Sequence, residues 1–225
     1  MPCADWEEDC MAQNEISIAT IQRLPIYLDY LKSMTGDSEY ISATSLASAL
    51  GFGEVQVRKD LASVCSSGKP KIGYHVEELK SEIEEYLGYH KANRAIVVGA
   101  GRLGCALLGY EGFSRYGLNI LAAFDIDVSK VGKTENGKPI HSMEELGEFC
   151  RREEVQIGII TVPASHAKQA CEALLSAGIL AIWNFAPIHL DVPDSVIIKD
   201  ENMACSLAVL STKLAQKLGE EERDI

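Results

Sequence analysis

The stretch Arg94-Ala-Ile-Val-Val-Gly-Ala-Gly-Arg-Leu-Gly104 constrains the fold most, because a short apolar run passes directly into Gly99-x-Gly101-x-x-Gly104 and then into a helical pattern. That is the context a dinucleotide fingerprint requires. Gly99 permits a tight turn, Gly101 lets the backbone approach a pyrophosphate, and Gly104 lets the helix pack against the strand. The intervening Ala100, Arg102 and Leu103 complete a loop whose amides face the anion. Ile120-Leu-Ala-Ala-Phe-Asp125 follows, an apolar strand ending in a carboxylate. It lies about 20 residues past the glycines, where a ribose hydroxyl acceptor belongs. A βαβ unit with a glycine turn and no ligand stays open as the plainer alternative, since folds do not dictate sites.

At 225 residues the chain has room for one large or two small domains and for a sizeable core without disulfides. Its start, Met1-Pro-Cys-Ala-Asp-Trp-Glu-Glu-Asp-Cys10, is acidic and lacks the basic flank and apolar core of a secretory signal. No apolar run approaches a membrane span. The seven cysteines (Cys3, Cys10, Cys65, Cys105, Cys150, Cys171, Cys205) are scattered without C-x-x-C spacing, against both a disulfide framework and a zinc site. His75, His90, His141, His166 and His189 likewise lack metal-ligand spacing. No metal and no membrane are expected, and the reducing cytoplasm fits best. The net charge of −12 sits awkwardly with nucleic-acid binding, which favours a basic contact face. Within residues 55–75, however, Arg58, Lys59, Lys69 and Lys71 face only Asp60.

The expected organisation is an acidic tail over 1–15, a winged helix-turn-helix domain over 16–89, a Rossmann-type parallel-sheet domain over 90–200 and a C-terminal helix over 201–225. Ile18, Ile21, Tyr27, Leu28, Leu31 and Met34 recur at helical spacing, with Pro25 bending that helix or marking its first turn. Ser42 is placed to cap a short helix that Gly51 ends, and helical periodicity resumes over Val55–Leu61. Two short helices joined by a tight turn suggest helix-turn-helix. Ser66-Ser-Gly-Lys-Pro-Lys-Ile-Gly-Tyr74 reads as a two-stranded wing, and a polar helix from Val76 to about Tyr89 as the link onward.

Beyond Arg94, strands are expected at 95–98, 120–124, 157–162, 179–183 and 196–198, with helices at 102–110, 142–152 and 165–177. This βαβ rhythm implies an α/β class with a parallel sheet covered on both faces. Asn136-Gly-Lys-Pro139 reads as a turn. Met203, Leu207, Leu210, Leu214 and Leu218 form an apolar seam on a terminal helix, which docks either on its own domain or on a second subunit.

Arg23-Leu-Pro-x-Tyr27, Gln56-Val-Arg-Lys-Asp-Leu61, Ile72-Gly-Tyr74, Phe124-Asp-x-Asp127, Thr161-Val-Pro-Ala164 and Asn184-Phe-Ala-Pro187 occur in the order and approximate spacing of motifs in Rex redox-sensing transcriptional repressors. From Ile18 to Leu214 the chain resembles that family. The resemblance implies a homodimer that binds operator DNA through winged-helix domains and NAD(H) through Rossmann domains, with C-terminal helices exchanged between subunits. NADH would close the dimer and release DNA, whereas NAD+ would favour or tolerate the bound form. It places Gln56, Arg58 and Lys59 on a recognition helix and Lys69 and Lys71 in the wing. Thr161, Val162, Pro163, Asn184 and Phe185 would line the nicotinamide pocket, where an apolar ring disfavours the cationic form.

The chain departs from the family at Val64-Cys65, Ser67 and Pro70-Lys71 around the wing, and at Asp29 and Asn202, where the family carries an arginine and an acid beside a tyrosine matched by Tyr110. The ion pair of the family cannot form at those two positions. Two other readings remain. One is a small NAD-dependent oxidoreductase, although no Tyr-x-x-x-Lys pair follows the fingerprint and neither His166 nor His189 has an evident orienting partner in the sequence. The other is a divergent paralogue that has lost redox coupling or DNA binding. No catalytic residue is expected on the leading reading.

Overall fold

The computed structural model describes residues 16–34 and 39–221; the expected acidic tail over 1–15 lies outside them. The chain forms two compact units, 1–91 and 92–225.

In the first unit, α1 (Ile18–Ser33) is capped by Ser17, whose hydroxyl accepts from the Thr20 amide, and Pro25 lies inside the helix rather than in its first turn. The inward stripe is Thr20, Leu24, Tyr27, Leu28 and Leu31, while Ile18 is 75% and Ile21 39% exposed. The stripe read from Ile18 is therefore displaced. Polar Thr20 turns inward because a buried carboxylate, Asp60, is there to accept its hydroxyl at 3.0 Å. Ser42 and Gly51 do bound α2 (Ala43–Leu50): the serine accepts from the Ser45 amide, and Gly51 takes the left-handed φ of 69°. A tight turn then leads to α3 (Glu54–Val64), which buries Val57, Asp60 and Leu61.

The wing differs from the two-stranded form expected over 66–74. It closes on a single bridge, Lys69 to Gly73, around a turn in which Lys71 has a φ of 67°. The longer pairing is instead antiparallel, between β1 (Tyr40–Ile41) and β2 (Tyr74–His75). Two residues explain this. Pro70 has no N–H with which to extend a ladder, and Gly73, at φ +104°, lies so close to the Ile41 carbonyl that any Cβ would overlap it. Nor is α4 (Val76–Tyr86) merely a connector, since Val76, Leu79 and Ile83 are buried with α1 and α3 in one core.

The second unit is a seven-stranded sheet: β3 (Asn93–Val98), β4 (Leu118–Asp125), β5 (Thr134–Glu135), β6 (Lys138–Ser142), β7 (Ile157–Ile160), β8 (Ala181–Asn184) and β9 (Ile197–Asp200). Their order is β5-β6-β4-β3-β7-β8-β9, parallel throughout except for β5. The edge hairpin was not anticipated. Asn136 and Gly137, both at positive φ, form its two-residue loop, and Lys138 and Pro139 already belong to β6. A register shift between Ala95 and Ile96 leaves Leu121 as the extra residue on β4. This bulge explains why Ile120 and Ala122, two apart, join opposite faces of the sheet.

One face is covered by α6 (Leu146–Arg152) and α7 (Ala164–Ser176), which bury Leu146, Phe149, Ala167, Ala170 and Leu174 against Ile96, Val98, Phe124, Ile160 and Ile182. On the other, α5 (Arg102–Gly109) packs Leu108 against Ala95, Val97, Ala123 and Ile159. The terminal helix α8 (Met203–Glu221) covers neither. Its residues 203–219 are all exposed, Leu207, Leu210 and Leu214 by 62%, 64% and 54%.

Candidate functional site

The strand order reverses between β3 and β7, and at such a switch point a crevice opens beyond the carboxyl ends of the strands. Gly99 follows the end of β3 and Thr161 the end of β7. The glycines of the loop are explained by what surrounds them. Gly99 has a φ of +103°, and a Cβ there would lie 2.8 Å from Val162 Cγ1. A Cβ on Gly104 would overlap the Gly99 carbonyl oxygen and lie 2.8 Å from Thr161 Oγ1. Gly101, by contrast, has open space at that position, with nothing beyond its own chain neighbours within 4 Å. As the N-cap of α5 it contributes no side chain to the opening amides, Arg102 and Leu103 among them, so these are left to solvent or to an anion.

Two of the expected binding residues turn out to hold the loop. Thr161 donates its hydroxyl to the Gly99 carbonyl at 2.8 Å, clamping the turn to β7. The Ala100 amide is not directed at a pyrophosphate, because it donates to Asp125 Oδ2 at 2.8 Å. Asp125 is buried at the end of β4 and also accepts from the Asp127 amide (2.8 Å) and from Lys130 Nζ (2.9 Å). Burial pulls its pKa up, but the hydrogen bonds from Lys130, Asp127 and Ala100 outweigh that and hold the carboxyl below its ordinary value. Asp125, Asp127 and Lys130, together with Phe124, Met143, Val162, Pro163, His166 and Gln169, line a cleft of about 550 Å³. Lys130 was missed in the sequence. Its signal was only a lysine five residues past the strand-end carboxylate, meaningful once the turn brings it back.

Asn184 and Phe185 follow the end of β8 and lie outside the lining of that cleft. Asn184 is fully buried and committed to the protein: its amide nitrogen donates to the Ile188 carbonyl and to Asp200 Oδ1, and its oxygen accepts from the Ala186 amide. It therefore fixes the turn that presents Phe185 rather than offering a polar atom to a ligand. Phe185 is half-buried, with its ring centroid 4.9 Å from that of Trp183. Trp183 meets Phe113, and Phe113 meets Tyr110, which is 55% exposed. His189 does find a carboxylate that the sequence did not reveal, Asp200 at 3.0 Å, but its side chain is largely exposed. Asn202 opens α8 and accepts from the Ala204 amide. Among the described residues no group of acidic, histidine or cysteine side chains is arranged to hold a metal, and no helix is long and apolar enough to cross a membrane.

In the first unit, Gln56, Arg58 and Lys59 all lie on the exposed side of α3. Arg58 pairs with Glu54 one turn earlier, whereas Gln56 and Lys59 line a cleft beside the start of α1. Lys69 Nζ sits 5.8 Å from the centre of the Tyr40 ring, and Lys71 is exposed at the turn. Beneath α3 lies a network that sequence reading also missed. Asp60 accepts from Arg23 Nε and Nη2 (both 2.7 Å), from the Tyr27 hydroxyl (2.7 Å) and from Thr20 (3.0 Å). The bidentate pair ties α1 to α3 and fixes the rotation of the exposed face. Glu82 plays a similar part at the wing root, accepting from the Ser66 amide and from the Ser66 and Ser67 hydroxyls.

Comparison with known proteins follows this division. A CoA binding domain family matches residues 90–188, and a putative DNA-binding protein N-terminus family matches 15–62. The redox-sensing transcriptional repressor Rex of Treponema denticola is 43% identical over 92% of this chain and all of its own length. The chain belongs to the Rex family. A Rex repressor from Porphyromonas gingivalis is 36% identical over 92% of this chain and 95% of its own. Crystal structures of the Rex-family repressor RSP agree in fold: its complex with β-NAD+ and operator DNA has a TM-score of 0.84 at 35% identity, covering 92% of this chain and 96% of that one. Its complex with β-NADH has a TM-score of 0.82 at 34% identity, covering 92% and 98%. These relatives are named as repressors rather than enzymes. The structure now gives two Rex motifs a physical reason, since Arg23-Leu-Pro-x-Tyr27 and Gln56-Val-Arg-Lys-Asp-Leu61 supply the two sides of the Asp60 network.

Proposed function

We propose that this chain is a homodimeric, cytoplasmic transcriptional repressor that binds operator DNA through its first unit and NAD(H) through its second, with NADH releasing the DNA. The observation that carries this reading is the cleft at the switch point, which an uncapped helix start at Gly101 and a buried acceptor, Asp125, line together, as a pyrophosphate and its ribose require. Coenzyme A shares the ADP portion but bears a phosphate on that ribose. A buried carboxylate there favours a free hydroxyl.

Gly99, Gly101, Arg102, Leu103 and Gly104 surround the pyrophosphate, and Thr161, Val162 and Pro163 form the wall opposite. Phe185, presented by Asn184, gives an apolar surface toward the nicotinamide. Such a surface tolerates the neutral reduced ring and penalises the cationic oxidised one. The switch works only to the extent of that differential affinity. On the DNA side, Gln56 and Arg58 read base edges, and Lys59, Lys69 and Lys71 meet phosphates.

Homodimerisation is supported by the bare apolar seam of α8 and by the half-covered aromatic strip from Tyr110 to Phe185. A parallel sheet is normally covered on both faces, and the partner's α8 is the element available to complete it. The five described cysteines, Cys65, Cys105, Cys150, Cys171 and Cys205, are all free thiols, as a reducing compartment favours. The test is a gel shift on a palindromic operator with NADH, NAD+ or neither. DNA affinity lowered by NADH alone supports the reading; equal affinity in all three conditions rejects redox sensing.

A further inference from the structure

We infer that Lys130 is a second ribose-recognition residue, acting with Asp125 as a donor–acceptor pair on the adenosine ribose hydroxyls. This rests on the dinucleotide reading of the cleft and assigns a residue within it. The turn after β4 is built to place the ammonium. Asp127 N–H donates to Asp125 Oδ1, Ser129 N–H donates to Asp127 Oδ1 at 2.9 Å, and Lys130 N–H donates to the Asp127 carbonyl at 3.0 Å. These three bonds turn the chain back, so that Lys130 Nζ comes within 2.9 Å of Asp125 Oδ2 on the cleft wall.

Lone pairs and protons can be counted. Asp125 Oδ2 receives the Ala100 amide and Lys130, and Oδ1 receives the Asp127 amide, so a carboxylate with about four acceptor positions keeps one for a ligand. Lys130 has three N–H groups and gives one to Asp125; Asp127 Oδ2, at 4.0 Å, is too distant to take another as a hydrogen bond. A ribose hydroxyl is both donor and acceptor. Asp125 accepts a hydrogen bond from it, and Lys130 donates one to its oxygen. The ammonium also balances a carboxylate that would otherwise stand alone in a largely buried position.

The experiment is calorimetric titration of the full-length wild type, Lys130→Met and Lys130→Arg with two probes: NADH, and an NADH analogue lacking both adenosine ribose hydroxyls. Lys130→Met is expected to weaken NADH binding at least tenfold while changing the dideoxy analogue less than threefold, and Lys130→Arg is expected to recover much of the loss. Equal losses for both probes would mean that Lys130 merely supports the turn, and no loss for either would mean that it does not touch the ribose. Both outcomes overturn the inference. A wild type that binds neither probe would instead overturn the dinucleotide reading itself.

Discussion

Replacing Asp60 with alanine tests whether the buried network beneath α3 sets the stability of the first unit. The carboxylate accepts four hydrogen bonds, two from Arg23 and one each from Tyr27 and Thr20. Each bond to a charged group contributes about 1.5–3 kcal/mol, but the four share one acceptor group and do not add. Removing one partner of a buried pair costs about 3–5 kcal/mol. Here the lower end applies, because the Arg23 side chain is 16% exposed and can turn to water, whereas Tyr27 is fully buried and cannot. A loss of about 3 kcal/mol corresponds to roughly 12–24 °C in Tm for a unit of this size. Far-UV circular dichroism follows the helices of both units. In a Trp6→Phe background, Trp183 fluorescence follows the second unit alone, since the chain has two tryptophans. The Asp60→Ala chain should show an early dichroism transition with an unmoved fluorescence transition. A loss under about 1 kcal/mol, or both transitions moving together, would refute the argument. The pH dependence has two sides. Burial raises the Asp60 pKa, but the bonds from Arg23, Tyr27 and Thr20 more than offset it, so the folded value lies below 3.8. Its contribution is present above the unfolded value and is lost as pH falls through the folded one. Burial, then Asp60, push the Tyr27 hydroxyl from 10.0 up to about 12, so its contribution is present below pH 10 and disappears as pH rises toward 12.

Three further outcomes are expected. Gly104→Ala should abolish NADH binding in calorimetry while the chain stays folded, because the added methyl overlaps the Gly99 carbonyl and pushes on Thr161; retained affinity would show that the loop has slack. Thr161→Val removes the bond to the Gly99 carbonyl and should weaken NADH and NAD+ equally, by about 1 kcal/mol; a selective effect on one form would place Thr161 at the nicotinamide instead. Leu210→Asp with Leu214→Asp puts charge on the bare α8 seam and should shift sedimentation from dimer to monomer with little change in monomer stability, since neither residue is buried within the chain.

Local patterns carried much of the second unit. Three glycines at fixed spacing, an apolar run before them and a strand ending in Asp125 define a βα turn and its neighbouring strand, because the conformational needs of a tight turn are met residue by residue. Ser42 and Gly51 were legible for the same reason: a cap acts within one turn, Ser42 by accepting from the Ser45 amide and Gly51 by donating its own amide to the Ala47 carbonyl. Three features were not. The wing was misread because whether Tyr74 pairs with its own turn or with Ile41 depends on a segment more than thirty residues upstream. The inward turn of Thr20 depended on a carboxylate forty residues distant. Ala100 was assigned to ligand binding by its place in the glycine loop and Thr161 and Asn184 by family resemblance, and only coordinates show their polar groups holding other parts of the protein.

The sequence by itself determined the order and type of most elements, the presence of a glycine-rich turn between β3 and α5, and family membership, since each is written in short-range spacing. Tertiary structure alone decided which polar atoms remain free. Lys130 reaches Asp125 only after a turn folds back, Arg23 and Tyr27 meet Asp60 only when α1 crosses α3, and the α8 seam stays bare only because its own domain leaves it uncovered. Hydrogen-bond capacity is consumed by neighbours in space, and the identity of those neighbours is a property of the fold.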